Sequence, residues 1–254
     1  MIRGKEIDLV ANQLKRIAMW ASPRCLSTVL LRSWGNRPDT FVQDEPFYPH
    51  YLSVTGRKDP GMDEVLNRYE TDWVKIVEQV TTGSIPNDKS IYYQKFMIYR
   101  LLPHIDISWV PQLTNCFLIR EPQEMLLSYL RLWPNPTLDT IGMPRLKQLF
   151  EIVRDYSGLI PPVIDARDLQ ENPRHTLSLL CEAVEVEFTD AMLNWSKGNP
   201  TDDIWSKYQW YDTVRNSTGF HPYKPKNDAI PERFDDLLSQ CNEIYRELYK
   251  YRLV

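Results

Sequence analysis

Arg24, Ser27 and Thr28 lie close together in the stretch RIAMWASPRCLSTVLLRSW, residues 16–34. A guanidinium beside two hydroxyls suits an anion, and the surrounding elements favour the same ligand. Residues 17–21 are a short, mostly apolar run of the length of a buried strand. Ser22-Pro23 breaks the run, and Ser27-Thr28 then opens a helix with apolar positions at Val29, Leu30 and Leu31. A strand that turns tightly into a helix leaves backbone N–H groups without partners. The helix dipole adds positive potential there, so the turn predicts a phosphate or sulfate site. An ordinary strand–turn–helix with a surface arginine is the plain alternative.

Three more charged side chains fall at the ends of other predicted strands. Glu45 follows a strand over 40–43, Lys95 lies near the end of 90–96 (SIYYQKF), and Arg120 follows 114–119 (TNCFLI). A fifth strand is predicted over 162–165. Helices are predicted over 62–80 (ended by Gly83), in a short piece running to His104, and from Pro122 to 132. Others follow over 144–156, 173–184 and 231–251, and residues 189–230 read as aromatic and irregular. Strands alternating with helices predict an α/β fold of three layers, a central, mainly parallel sheet with helices on both faces. Ligands bind such sheets outside the carboxyl ends of the strands. Arg24, Glu45, Lys95 and Arg120 are therefore expected on one rim.

Composition narrows the function. The chain of 254 residues carries no Gly/Ser-rich or charge-rich linker, so 1–254 is expected to be a single domain, with 190–230 as a lid or acceptor region. A net charge of −4 argues against general nucleic-acid binding and requires a local basic patch for any polyanionic ligand. The cysteines (Cys25, Cys116, Cys181, Cys241) are far apart and form no CxxC pair, which disfavours a zinc site or disulfide framework and fits a reducing compartment. The N-terminal stretch MIRGKEIDLVANQLKR is polar and no apolar run approaches the roughly 18 residues of a membrane span, so a cytoplasmic protein is expected. The four histidines show no metal spacing, and His50 and His221 are the two expected nearest an acceptor.

Three segments resemble the P-loop sulfotransferases, which move a sulfuryl group from 3′-phosphoadenosine 5′-phosphosulfate (PAPS) to an acceptor. SPRCLST resembles that family's 5′-phosphosulfate loop. FLIREPQEMLLSYL resembles its 3′-phosphate motif, a strand ending in Arg with a Ser eight residues on, here Arg120 and Ser128. VIDARDLQENPRHTLSLLCEAVEVEF resembles its later strand, acidic turn and helix. The resemblance spans roughly residues 16–190. It departs from the family at Leu26, where Gly is usual, and the pattern GxxxxGK[ST] is absent.

The resemblance implies transfer to a hydroxyl of a small or medium organic acceptor, with 3′,5′-adenosine diphosphate as product and no metal. Arg24 would stabilise the leaving phosphate, while Cys25, Leu26, Ser27 and Thr28 line the 5′-phosphate. Arg120 and Ser128 would hold the 3′-phosphate. Glu45 would be the base, as in the tyrosylprotein and carbohydrate branches, and Lys95 would contact the sulfonate. Thr218 and Gly219, in a segment flanked by Arg215 and Lys224, are the candidates for closing over the 3′-phosphate. Trp195, Trp205, Tyr208, Trp210 and Tyr211 either line the acceptor pocket, stack on adenine or pack under long loops. Asp202 and Asp203 would attract a cationic acceptor or stand as a solvated pair. An ATP-dependent small-molecule kinase, with Asp165 as the only Mg²⁺-binding candidate, and a non-catalytic nucleotide-binding protein are the alternatives.

Overall fold

The computed structural model describes residues 14–199, 201–226 and 228–254; the N-terminal stretch read above for a leader lies, up to residue 13, outside them. Strands β1 (Lys15–Ala21), β2 (Thr40–Asp44), β3 (Ile91–Met97), β4 (Thr114–Ile119) and β5 (Val163–Asp165) form one sheet in the order β2-β3-β1-β4-β5, with every pairing parallel. Alternate residues of β1 enter opposite cores, Ile17, Met19 and Ala21 on one face and Ala18 and Trp20 on the other. Both faces are covered, which is why the central strands read as apolar runs.

The helices are α1 (Ser27–Gly35), α2 (Tyr48–Thr55), α3 (Met62–Arg68), α4 (Trp73–Thr81), α5 (Pro122–Leu130), α6 (Leu138–Ile141), α7 (Met143–Ser157), α8 (Ala166–Glu171), α9 (Pro173–Ala183), α10 (Asp212–Arg215) and α11 (Asp235–Tyr249). On one face Leu30 and Trp34 of α1, Met125 of α5, Leu169 of α8 and Leu177 of α9 close the core. On the other, Ile76 of α4 and Leu146 and Phe150 of α7 do so. The layers and the parallel sheet agree with the sequence. Among the described residues no helix is long and apolar enough to cross a membrane.

Several boundaries differ. The single helix expected over 62–80 is two, because Asp72 accepts a hydrogen bond from the Val74 N–H at 2.9 Å and starts α4 afresh. The apolar phase runs on across the break, so periodicity alone joins the two. Helix α2 was not expected; its Pro49 occupies the first turn, where the missing N–H costs nothing. The helical piece toward His104 is one turn, Ile98–Arg100, and the closing helix starts only at Asp235.

Strand β1 lies between β3 and β4, so the loop after it stands where the strand order reverses. That is the position at which open parallel sheets hold ligands.

Candidate active site

The turn after β1 is built by two left-handed residues, Arg24 at φ 64° and Leu26 at φ 68°. Leu26, where a glycine would be at ease, adopts the glycine conformation anyway, at a cost of roughly 1–2 kcal/mol. It stands directly before α1 and no side chain caps that helix, so the first N–H groups of α1 face outward. Arg24 Nε donates to Ser128 Oγ on α5 at 3.1 Å, and its Nη1 donates to the Trp210 carbonyl at 3.3 Å. Arg120, leaving β4, donates from Nη1 to the Arg24 carbonyl at 2.8 Å. Its other edge pairs with Glu124 Oε2 at 3.0 Å, and Tyr223 donates to Glu124 Oε1 at 2.7 Å.

The charges here are cationic and crowded. Burial, then the neighbouring Arg120 and Arg131, lowers the pKa of Arg24 from its ordinary value. Burial, then Arg120, Arg131 and Arg24, does the same to Lys226. Cations that depress one another are a ready site for a multiply charged anion.

A second cluster lies at the ends of β2 and β3. Asp44 and Lys95 are register partners across the two parallel strands. Lys95 Nζ lies 2.7 Å from Asp44 Oδ1, 2.8 Å from Glu45 Oε1 and 3.0 Å from Thr28 Oγ1, and all three charged groups are buried. Glu45 is held by a left-handed backbone (φ 50°) whose N–H donates to the Lys95 carbonyl at 2.9 Å. Its other oxygen pairs with Arg100, whose guanidinium lies 3.8 Å over the Tyr48 ring. Tyr211 donates to Asp44 Oδ2 at 2.6 Å. Burial lowers the pKa of Lys95, and Asp44 pulls against that shift.

Both clusters open into one cavity of about 470 Å³, lined by Arg24, Leu26, Ser27, Thr28, Glu45, Lys95, Arg120 and Ser128 among others. Among the described residues, eight Arg and Lys side chains line it against two carboxylates, Glu45 and Asp59, although the whole chain carries −4. This local excess is the basic patch that the composition demanded.

Other expected residues fall elsewhere. The Cys25 side chain is buried in the core beneath the turn, and burial pushes its thiol up to about 12. Gly219 bridges to Asn194, and the Thr218 carbonyl accepts from the Trp195 N–H, so neither lines the cavity; Lys224 and Lys226, a little further on, do. Trp210 and Tyr211 line the cavity, whereas Trp205 packs against Tyr48 and Tyr69. His221 lines it, while His50 faces His104 and the Thr71 carbonyl. Asp202 is exposed. Asp203 stands near Tyr69 and is lifted to about 6 by burial and by Asp44. Asp165 is occupied on both oxygens, by the Arg167 N–H at 2.7 Å and the Tyr245 hydroxyl at 3.0 Å. That leaves it poorly placed for a cation.

Sequence reading passed over Asp44, Arg57, Arg100 and Lys226. The signal for Asp44 was available, since an acid ending one parallel strand beside a lysine ending the next is a ready buried pair. Arg100 carried none, being one arginine in a short turn.

An all-parallel sheet with a cation-lined cavity at the turn after its central strand is an α/β fold. The chain belongs to the sulfotransferase family, whose sulfotransferase-domain model matches residues 15–252. Solved structures agree in fold. The sulfotransferase domain of the Synechococcus PCC 7002 olefin synthase is 14% identical with a TM-score of 0.56, covering 96% of this chain and 97% of that one. A sulfotransferase from Alicyclobacillus acidocaldarius is 11% identical with a TM-score of 0.53, covering 94% and 97%. Two Arabidopsis thaliana proteins, named branched-chain-amino-acid aminotransferase-like proteins 2 and 1, are 33% and 35% identical over 233 residues, 91% of this chain. The chain spans 41% of the length of each.

Proposed function

We propose that this chain moves a sulfuryl group from PAPS to a hydroxyl of a small or medium organic acceptor, in a cytoplasmic setting and without nucleic acid as partner. The observation that carries the reading is the Arg24–Ser128 hydrogen bond at 3.1 Å, which joins the two anion motifs in one cavity. On this reading 1–254 is one domain, and 190–230 covers the acceptor.

In the reaction the acceptor oxygen bonds to sulfur as the bridging S–O bond breaks, and the electron pair leaves on the 5′-phosphate. Arg24, Ser27, Thr28 and the open N–H groups of α1 hold that phosphate. A guanidinium does not give up its proton, so the part of Arg24 is electrostatic, and such a donor is worth ~10²–10³ in rate. Arg120 and Ser128 hold the 3′-phosphate. Lys95 donates a hydrogen bond to a sulfonate oxygen, and Glu45 takes the acceptor proton.

Incubation with PAPS labelled in its sulfur and a panel of hydroxyl compounds tests the reading. Label moved to an acceptor, with 3′,5′-adenosine diphosphate released, supports it. No label moved to any acceptor, while ATP and magnesium phosphorylate one of them, rejects it.

A further inference from the structure

Lys95 has more acceptors than protons. An ammonium donates three hydrogen bonds. Around Nζ stand Asp44 Oδ1 at 2.7 Å, Glu45 Oε1 at 2.8 Å, Thr28 Oγ1 at 3.0 Å and the Tyr211 hydroxyl at 3.2 Å. Tyr211 does two things at once in this set. Its oxygen accepts from Lys95 while its proton goes to Asp44 Oδ2 at 2.6 Å, with Glu45 Oε1 only 3.3 Å away. The ring is buried in one cluster with Tyr48 and Trp205, so the hydroxyl has little freedom to leave. The preceding residue, Trp210, accepts from Arg24 through its carbonyl. Two consecutive residues, Trp210 and Tyr211, thus touch the two cations assigned to the leaving phosphate and to the sulfonate.

We infer that Tyr211 is a positioning residue. Its hydroxyl bridges Lys95 Nζ and Asp44 Oδ2 and so holds the ammonium in place among Asp44, Glu45 and Thr28. Without the hydroxyl Lys95 loses one of its four acceptors and Asp44 Oδ2 loses its donor, so the ammonium is less firmly held where it stands. The charged form of Lys95 is then less stabilised, and its aim at the sulfonate is lost. The kinetic part of this inference rests on the function proposed above; the hold on Lys95 does not.

The test uses the full chain carrying Tyr211→Phe, which keeps the ring. Three quantities are read: affinity for 3′,5′-adenosine diphosphate, its release from PAPS with water or para-nitrophenol as probe acceptor, and the titration of the Lys95 side chain by NMR on labelled lysine. The expected result is nucleotide affinity within about twofold of wild type, turnover down about ten- to a hundredfold, and Lys95 losing its proton at lower pH. Asp44→Asn reproduces the turnover loss, and the double variant is no worse than the more severe single one, since the two act as a unit. An unchanged Lys95 titration overturns the inference. So does a loss of turnover matched by an equal loss of nucleotide affinity, which marks a purely structural role. A wild-type chain that fails to prefer 3′,5′-adenosine diphosphate over ADP removes the proposed donor instead, and the Lys95 titration still decides whether Tyr211 holds that lysine.

Discussion

Arg24 and Ser128, 104 positions apart in sequence, are joined by a hydrogen bond of 3.1 Å between the turn after β1 and the second turn of α5. The serine therefore does two jobs, orienting the arginine and facing the cavity. Ser128→Ala removes a hydrogen bond to a charged group, worth about 1.5–3 kcal/mol. The expected outcome is a loss of ten- to a hundredfold in affinity for 3′,5′-adenosine diphosphate, with a smaller loss for ADP, which feels the serine only through Arg24. Parallel calorimetric titrations check it, and an equal loss for both nucleotides would place the serine away from the 3′-phosphate.

Glu45 lies within one cavity with Arg24 but touches none of the groups assigned to the nucleotide except Lys95. Glu45→Gln keeps the shape and removes the proton acceptor. Turnover is expected to fall by ~10²–10⁴ while nucleotide affinity stays within a few fold. Steady-state rates beside nucleotide titration separate the two quantities, and an unchanged rate would move the base elsewhere.

Leu26 holds a left-handed backbone at φ 68° and only partly buries its side chain. Leu26→Gly relieves about 1–2 kcal/mol of backbone cost and gives up some packing and some chain stiffness in the unfolded state. These nearly cancel, so thermal unfolding is expected to shift by no more than about 1 kcal/mol in either direction. A buried Leu→Gly elsewhere in the core costs several kcal/mol. A loss of that size at residue 26 would mean that the turn is not strained.

Burial lifts Asp165 to about 6 from an ordinary 3.8. The folded chain therefore holds this proton more readily than the unfolded chain, and stability falls as pH rises from about 4 to about 6. Asp165→Asn keeps an oxygen for the Arg167 N–H and removes the charge. The variant is expected to gain on wild type across that window, by at most about 1.4 kcal/mol per pH unit, and to hold the gain above it. Melting curves of both chains between pH 4 and 8 check the sign. A gain that grows toward low pH would contradict it.

The sheet, its parallel sense and the rim of charges were legible because each depends on local signals: short apolar runs, turn residues and a charged residue at each strand end. The break in 62–80 was hidden because apolar phase survives it, and only the cap at Asp72 marks it. In the site, the residues that touch the anion motifs directly were readable as motifs. The residues that orient them were not. Arg100 and Tyr211 reach Glu45 and Asp44 from segments far along the chain, and nothing in a local pattern ties Tyr211 to a strand end 167 positions earlier. Thr218 and Gly219 were chosen for composition, whereas the cavity takes lysines a few residues on, because the chain at 219 is engaged with Asn194.

The central claim is that one cavity grips a bisphosphorylated adenosine at both ends. Calorimetry of the full chain with 3′,5′-adenosine diphosphate and with ADP, at matched salt, tests it most directly. The account predicts that the first binds at least tenfold more tightly, and that Arg120→Ala erases most of the difference. Equal affinity for the two nucleotides, or a preference that survives loss of the guanidinium, would contradict it.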